Sequence, residues 1–280
     1  VRKVMEDCYR RLSPQDPLIV DVVLFEDTSR MEAYLLIEQD SAGAYPQGFE
    51  AGFIATHDAW TGIPRILVCY ERLRELSPRL RMAVLRHEVA HSVLHGSPEY
   101  YIYPVPQPLL EASAKYRLSR DHILHILYLV AIGVKDYEAT EILLDHGYVE
   151  DQTEYAWYFC RTGEDDIQAW RIAEGDSGKE VLCLAGRFKD LACVAAVTAH
   201  QGSCIAGLTA AKKELEYLPE EAGSRLLMVC ASLAEMDRLD TLSKIEAAAG
   251  EFSRGLIQPA FEARRSGNMS RGVEARFSLG

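Results

Sequence analysis

The chain has 280 residues, 48% of them hydrophobic and 26% charged, which is enough to bury one large core or two small ones. A formal net charge of -12, with no basic stripe interleaved with aromatics, speaks against nucleic acid and anionic membranes as partners. The longest apolar stretch, 123–134, is interrupted by His125 and is too short to span a bilayer, and the N-terminal VRKVMEDCYRRL carries charges where a signal peptide needs an apolar core, so the expected location is the cytoplasm.

In chain order, LIVDVVLF (18–25) reads as a strand, rich in β-branched residues. YLLIE (34–38) fits a strand or a helix equally well. DSAGAYPQG (40–48) is a loop by composition, GFEAGFIATHD (48–58) has the glycine and aromatic content of a strand, and IPRILVCY (63–70) is a further strand. Ser77-Pro78 then supplies an N-cap followed by a proline at the first helical position. Apolar residues follow at helical spacing through Val84, Leu85, Val89 and Val93, and Gly96 fits the stop. The prolines of GSPEYYIYPVPQP (96–108) enforce an extended, aromatic-rich loop. Helix is expected over about 119–147 with a break near Gly133, and almost throughout from 150 to 263. The turns there fall at EGDSGK, HQGS, YLPEE and EMDRLD. The Gly-, Ser- and Arg-rich tail from Arg264 to Gly280 is expected to be disordered. The predicted class is therefore α+β, with strands in residues 1–150 and a helical region over 151–263. The seven cysteines are scattered and form no CxxC pair, so they read as small buried hydrophobes.

The helix at 78–94 carries the chemistry. In VLRHEVAHSVLHG (84–96), His87 and His91 stand four apart, one turn apart on one helix face, so both imidazoles can reach one ion. Glu88 then points beside that ion, where a general base must stand to take a proton from an attacking water. His95 continues the series, but it lies about 12 Å of axial rise from His87 and cannot share an ion held between His87 and His91. Its expected place is the helix C-terminus, against the dipole. A likeness to the metzincins would imply a histidine ligand six residues after His91, and Ser97 stands there, so that branch is excluded.

VLRHEVAHSV resembles the active-site helix of the zincin metallopeptidases. Strands followed by a proline-capped HExxH helix are similar to the small zincins of the minigluzincin and ImmA/IrrE type and to the HtpX-type peptidases. The likeness covers roughly residues 15–150 and implies a zincin-like domain over 1–150 that binds zinc and hydrolyses a peptide or protein substrate. It also implies an acidic third ligand from a later helix, in a pattern such as ExxAD or ExxAN. On GVKDYEATEILLDHG (133–147), Ala139 takes the small position, Thr140 the residue that supports a ligand histidine, and Asp136 the ligand position. An aspartate there is one methylene shorter than the usual glutamate. Glu138 is the more common ligand type and is the other candidate, with Glu141 behind both. Asp136 and Glu138 are about 200° apart on a helix, so only one can face the ion.

Tyr100, Tyr101, Tyr103 and Tyr137 are candidate donors to a developing oxyanion. In related folds an edge strand above the active-site helix pairs with extended substrate, and GFIATHD or RILVCY is the segment for that role. His122 and His125 are one turn apart without a well-placed carboxylate, and His57, His146 and His200 are isolated. The alternative function is a non-catalytic zinc-containing interaction protein that uses its helical C-terminal half. Oligomeric state is not legible.

Overall fold

The computed structural model describes residues 1–12, 19–42, 53–202 and 204–264. The chain divides into two units that are discontinuous in sequence: 1–104 with 135–159, and 105–134 with 160–280. Most of the described residues are helical, with one small three-stranded sheet, which is the α+β class.

The sheet belongs to the first unit and is built from β1 (Asp21–Phe25), β2 (Ala55–Asp58) and β3 (Arg65–Cys69) in the order β1-β3-β2. β3 runs parallel to β1 and antiparallel to β2, with His57 opposite Ile66 and Asp58 opposite Arg65. All five residues of β3 are buried, as its run of aliphatic residues requires of a strand paired on both sides. RILVCY is therefore central and has no open edge to offer a further strand; of the two segments named for that role, only GFIATHD contains an edge strand.

The helices of this unit are α1 (Arg2–Leu12), α2 (Thr28–Ala42), α3 (Tyr70–Glu75) and α4 (Pro78–Leu94). YLLIE is thus helical, and the loop expected from Asp40 begins no earlier than residue 43, beyond which 43–52 lie outside the described residues. Ser77 caps α4 through its hydroxyl, which accepts from the Leu80 amide at 3.1 Å, and Pro78 occupies the first turn. α4 ends at Leu94. Gly96 is needed there for space, since a Cβ would sit 2.4 Å from the Ser92 carbonyl oxygen. Leu80, Val84, Leu85 and Val89 pack with Met5, Cys8, Ile66 and Val68 in one core, which Ala139 and Leu143 also enter. Of the seven cysteines, Cys8, Cys69, Cys160, Cys193 and Cys230 are buried.

The loop after α4 makes one 3-10 turn at Pro98–Tyr100, and α5 (Gln107–Tyr116) starts inside the proline-rich segment, with Pro108 in its first turn. α6 (Arg120–Asp145) runs unbroken. The break expected at Gly133 is absent because that glycine serves close packing: a Cβ there would lie 2.8 Å from the Phe188 ring. Residues 120–134 of α6 belong to the second unit and 135–145 to the first, together with α7 (Val149–Phe159). The second unit continues through α8 (Glu164–Ala173), α9 (Ser177–His200), α10 (Cys204–Ala210), α11 (Glu220–Ala231) and α12 (Thr241–Phe252). The four expected turns separate these helices, and the break at 160–163 is an additional one. Phe188 and Phe252 meet edge to face in its core. The tail from 265 lies outside the described residues. Among the described residues, no helix is long and apolar enough to cross a membrane.

Candidate metal centre

His87 and His91 project from one face of α4, as the spacing requires, and both are buried. Their Nε2 atoms are 3.0 Å apart. Asp136, on the α6 segment that belongs to the same unit, brings Oδ1 to 3.1 Å from His91 Nε2 and 3.6 Å from His87 Nε2. Three atoms of kinds that can ligate a metal thus converge from two helices.

Glu138 points elsewhere. Its Oε2 meets His95 Nε2 at 3.0 Å, and His95 Nδ1 lies 3.2 Å from His91 Nδ1. The 200° between the two carboxylates is resolved with Asp136 on the His87–His91 pair and Glu138 on His95, a histidine with no exposure at all. Thr140, expected to support a ligand histidine, is fully buried with its hydroxyl unpartnered among the described residues, as is Nδ1 of His87.

Glu88 is buried, and its Oε2 lies 3.1 Å from Nδ1 of His57, which β2 delivers to the site. The His57 ring also stacks on His91, with centroids 3.9 Å apart, and Tyr155 of α7 stacks on His87 at 4.4 Å. Sequence reasoning gave His57 no role. It stands 31 residues before Glu88 and only the register of β2 brings it there, so no local spacing marks it.

Electrostatics follow from burial. Loss of solvation pushes Glu88 up to about 8, helped by the Asp136 charge. The same burial pulls His91 down to about 3, and also lowers His57 and His95. Neutral imidazoles are what a metal requires of its ligands. Burial acts to raise Asp136 as well, but hydrogen bonds and charge from His87 and His91 outweigh it and hold that carboxyl low. Lys135, also desolvated, is lowered to about 8 against the opposing charges of Asp136 and Glu138. Its ammonium sits 4.5 Å from the Tyr101 ring centroid and donates to the Tyr100 carbonyl at 3.4 Å.

His57, His91 and His95 form a group that could hold a metal ion, and so could a group that includes His87 and Asp136. Tetrahedral zinc with ligand bonds of roughly 2.0–2.2 Å sets ligand atoms about 3.3 Å apart, and the three separations here bracket that value. In comparisons with known proteins, no family model, no curated protein and no solved structure matches the chain. The chemistry of the site therefore has to be argued from its own atoms.

Of the tyrosines singled out, Tyr101 is the one whose hydroxyl is buried without a hydrogen-bond partner among the described residues. Its ring meets His57 edge-on at 6.1 Å, and burial together with the charges of Asp58 and Glu88 raises its phenol. Tyr100 packs against His95 instead, with centroids 5.4 Å apart, and Tyr137 is buried in the core. Glu141 enters neither carboxylate–histidine contact described above. His122 hydrogen-bonds locally with Ser119.

Proposed function

We propose that this protein is a zinc-dependent hydrolase of the zincin type, acting on peptide bonds, with His87, His91 and Asp136 as the zinc ligands and Glu88 as the general base. The observation that carries the proposal is the convergence of two imidazole nitrogens and one carboxylate oxygen within 3.6 Å beside a buried glutamate. Two histidines and a carboxylate are the donor set of catalytic zinc in metallopeptidases. When bound, the ion lowers the pKa of water and polarises a carbonyl.

The chain's own residues do the rest. Glu88 accepts the proton of the attacking water and delivers it to the departing amine. His57 holds one carboxylate oxygen of Glu88 through Nδ1, leaving the other to meet the water. The Tyr101 hydroxyl, buried and without a hydrogen-bond partner among the described residues, donates to the substrate carbonyl oxygen as it gains charge. Strand β2, at the sheet edge, offers its backbone to an extended peptide.

Metal analysis of the purified full chain tests this reading, with about one equivalent of zinc expected. His87→Ala and His91→Ala should abolish retention, and Asp136→Ala should cost more zinc than Glu138→Ala. Glu88→Gln should keep the zinc and lose cleavage of unstructured peptides. A protein that neither carries zinc nor gains stability from added zinc overturns the proposal. One that keeps its cleavage rate as Glu88→Gln removes that residue as the base.

A further inference from the structure

We infer that Lys135 is a positioning residue: it pins the turn after α4 to the end of α6 and so holds Tyr101 against His57, beside Glu88. The catalytic consequence rests on the hydrolase reading above; the pin itself does not. A lysine only 6% exposed calls for a reason, since this residue type is almost never enclosed unless paired. A methionine would fill the same space without the cost of stripping water from an amine. Asp136 and Glu138 act on the Lys135 amine through their charge, but the contacts it makes are to the turn. Its Nζ donates to the Tyr100 carbonyl at 3.4 Å and stands 4.5 Å from the centroid of the Tyr101 ring. The first contact is long, and the second reinforces it on the next residue. An amine carries N–H groups enough for one carbonyl and one ring face with or without its charge, so the pin does not depend on its protonation.

Local bonds shape this turn without placing it. The amides of Tyr100, Tyr101 and Ile102 bond back to the carbonyls of Ser97 and Pro98 at 3.3, 2.9 and 3.1 Å, and the Tyr100 ring packs on His95, also near in sequence. Lys135 supplies a tie to a different helix, 35 residues further along the chain. What it holds is the one tyrosine of the loop that reaches the base. The Tyr101 ring meets His57 edge-on at 6.1 Å, and the charge of Glu88 acts on its phenol. Its hydroxyl is buried with no hydrogen-bond partner among the described residues. A buried donor left in that state favours any motion that brings it to water, and a tie on the carbonyl before it and on its own ring opposes that motion.

Lys135→Met in the full-length protein keeps the apolar stem and removes the amine. Hydrogen exchange at the Tyr100, Tyr101 and Ile102 amides should quicken about 5–10-fold, which is what one hydrogen bond confers, while the amides of α4 stay as they are. Unchanged exchange at those three positions overturns the pin. In cleavage of an unstructured peptide, kcat should fall about 10–100-fold with KM within about twofold. The same substitution should add nothing in a Tyr101→Phe background, because the two residues act as one unit. A lysine that only stabilises the fold would lower the rate equally in both backgrounds, and that result overturns the positioning role. Loss of zinc by Lys135→Met overturns it too, since the effect would then run through Asp136. A wild-type protein that cleaves no peptide defeats the hydrolase reading, whereas the exchange rates still decide the pin.

Discussion

Arg65 and Asp58 face one another across β3 and β2 and are joined by two hydrogen bonds of 3.0 and 2.8 Å. Arg65 also reaches the Tyr34 hydroxyl at 3.1 Å and lies over the Trp60 ring. Both charges are largely out of water, so removing one leaves the other buried with a poorer set of partners. Asp58→Ala should therefore lower stability by about 3 kcal/mol, measured by denaturant unfolding. It should also loosen His57, its neighbour in the strand, and through it Glu88. An exposed pair would lose about 1 kcal/mol or less, so a change that small would show that the contact is not maintained out of water. Other features at this scale were legible early. The i, i+4 histidines and the intervening glutamate follow from helical geometry alone. The choice between Asp136 and Glu138 was not, because composition gave each a face that looked reasonable and both faces turn out to be enclosed, at 21% and 11% side-chain exposure. What separates them is which histidine each meets, and that depends on how the end of α6 packs on α4.

Among the elements, α6 shows where local signals mislead. A glycine in a helical pattern costs up to about 1 kcal/mol against alanine, which is why a break was expected at Gly133. Packing decides otherwise. Gly133→Ala would gain that propensity, but its Cβ would press on the Phe188 ring at 2.8 Å and on the Lys189 Cα at 3.3 Å. Overpacking of this kind costs about 1–3 kcal/mol, so the substitution should lower the melting temperature despite favouring helix. A rise would mean that Phe188 can yield. The cap at Ser77, the turns between α8 and α12 and the sheet strands were all readable, since each rests on short-range chemistry: a hydroxyl for an amide, glycine or proline at a bend, β-branched runs in a strand. α2 was ambiguous because a five-residue apolar run satisfies both periods.

For the molecule as a whole, the two units are not consecutive stretches of sequence. Their division falls between Val134 and Lys135, inside a helix that runs unbroken, so no turn or loop marks it. This makes metal removal informative. A ligand present at 100 times its dissociation constant stabilises by about 2.7 kcal/mol, and for zinc at His87, His91 and Asp136 that gain belongs to the first unit. Chelation should lower the unfolding temperature of the wild-type protein and leave His91→Ala unmoved. Hydrogen exchange should locate the lost protection in α4 and the end of α6, with α8 to α12 unaffected. Protection lost evenly over the chain would argue against a local site.

The hairpin from β2 to β3 has a consequence for how this chain tolerates change in length. Side chains of a strand alternate between faces, so a one-residue slip of β2 against β3 would exchange His57 for Thr56 or Asp58. In the second case a carboxylate would replace the imidazole facing Glu88, and two acids would share a buried position. An insertion or deletion within 59–64 that is absorbed by the strands, and not by the turn itself, would thus convert a supported base into a repelled one while leaving HEVAH untouched.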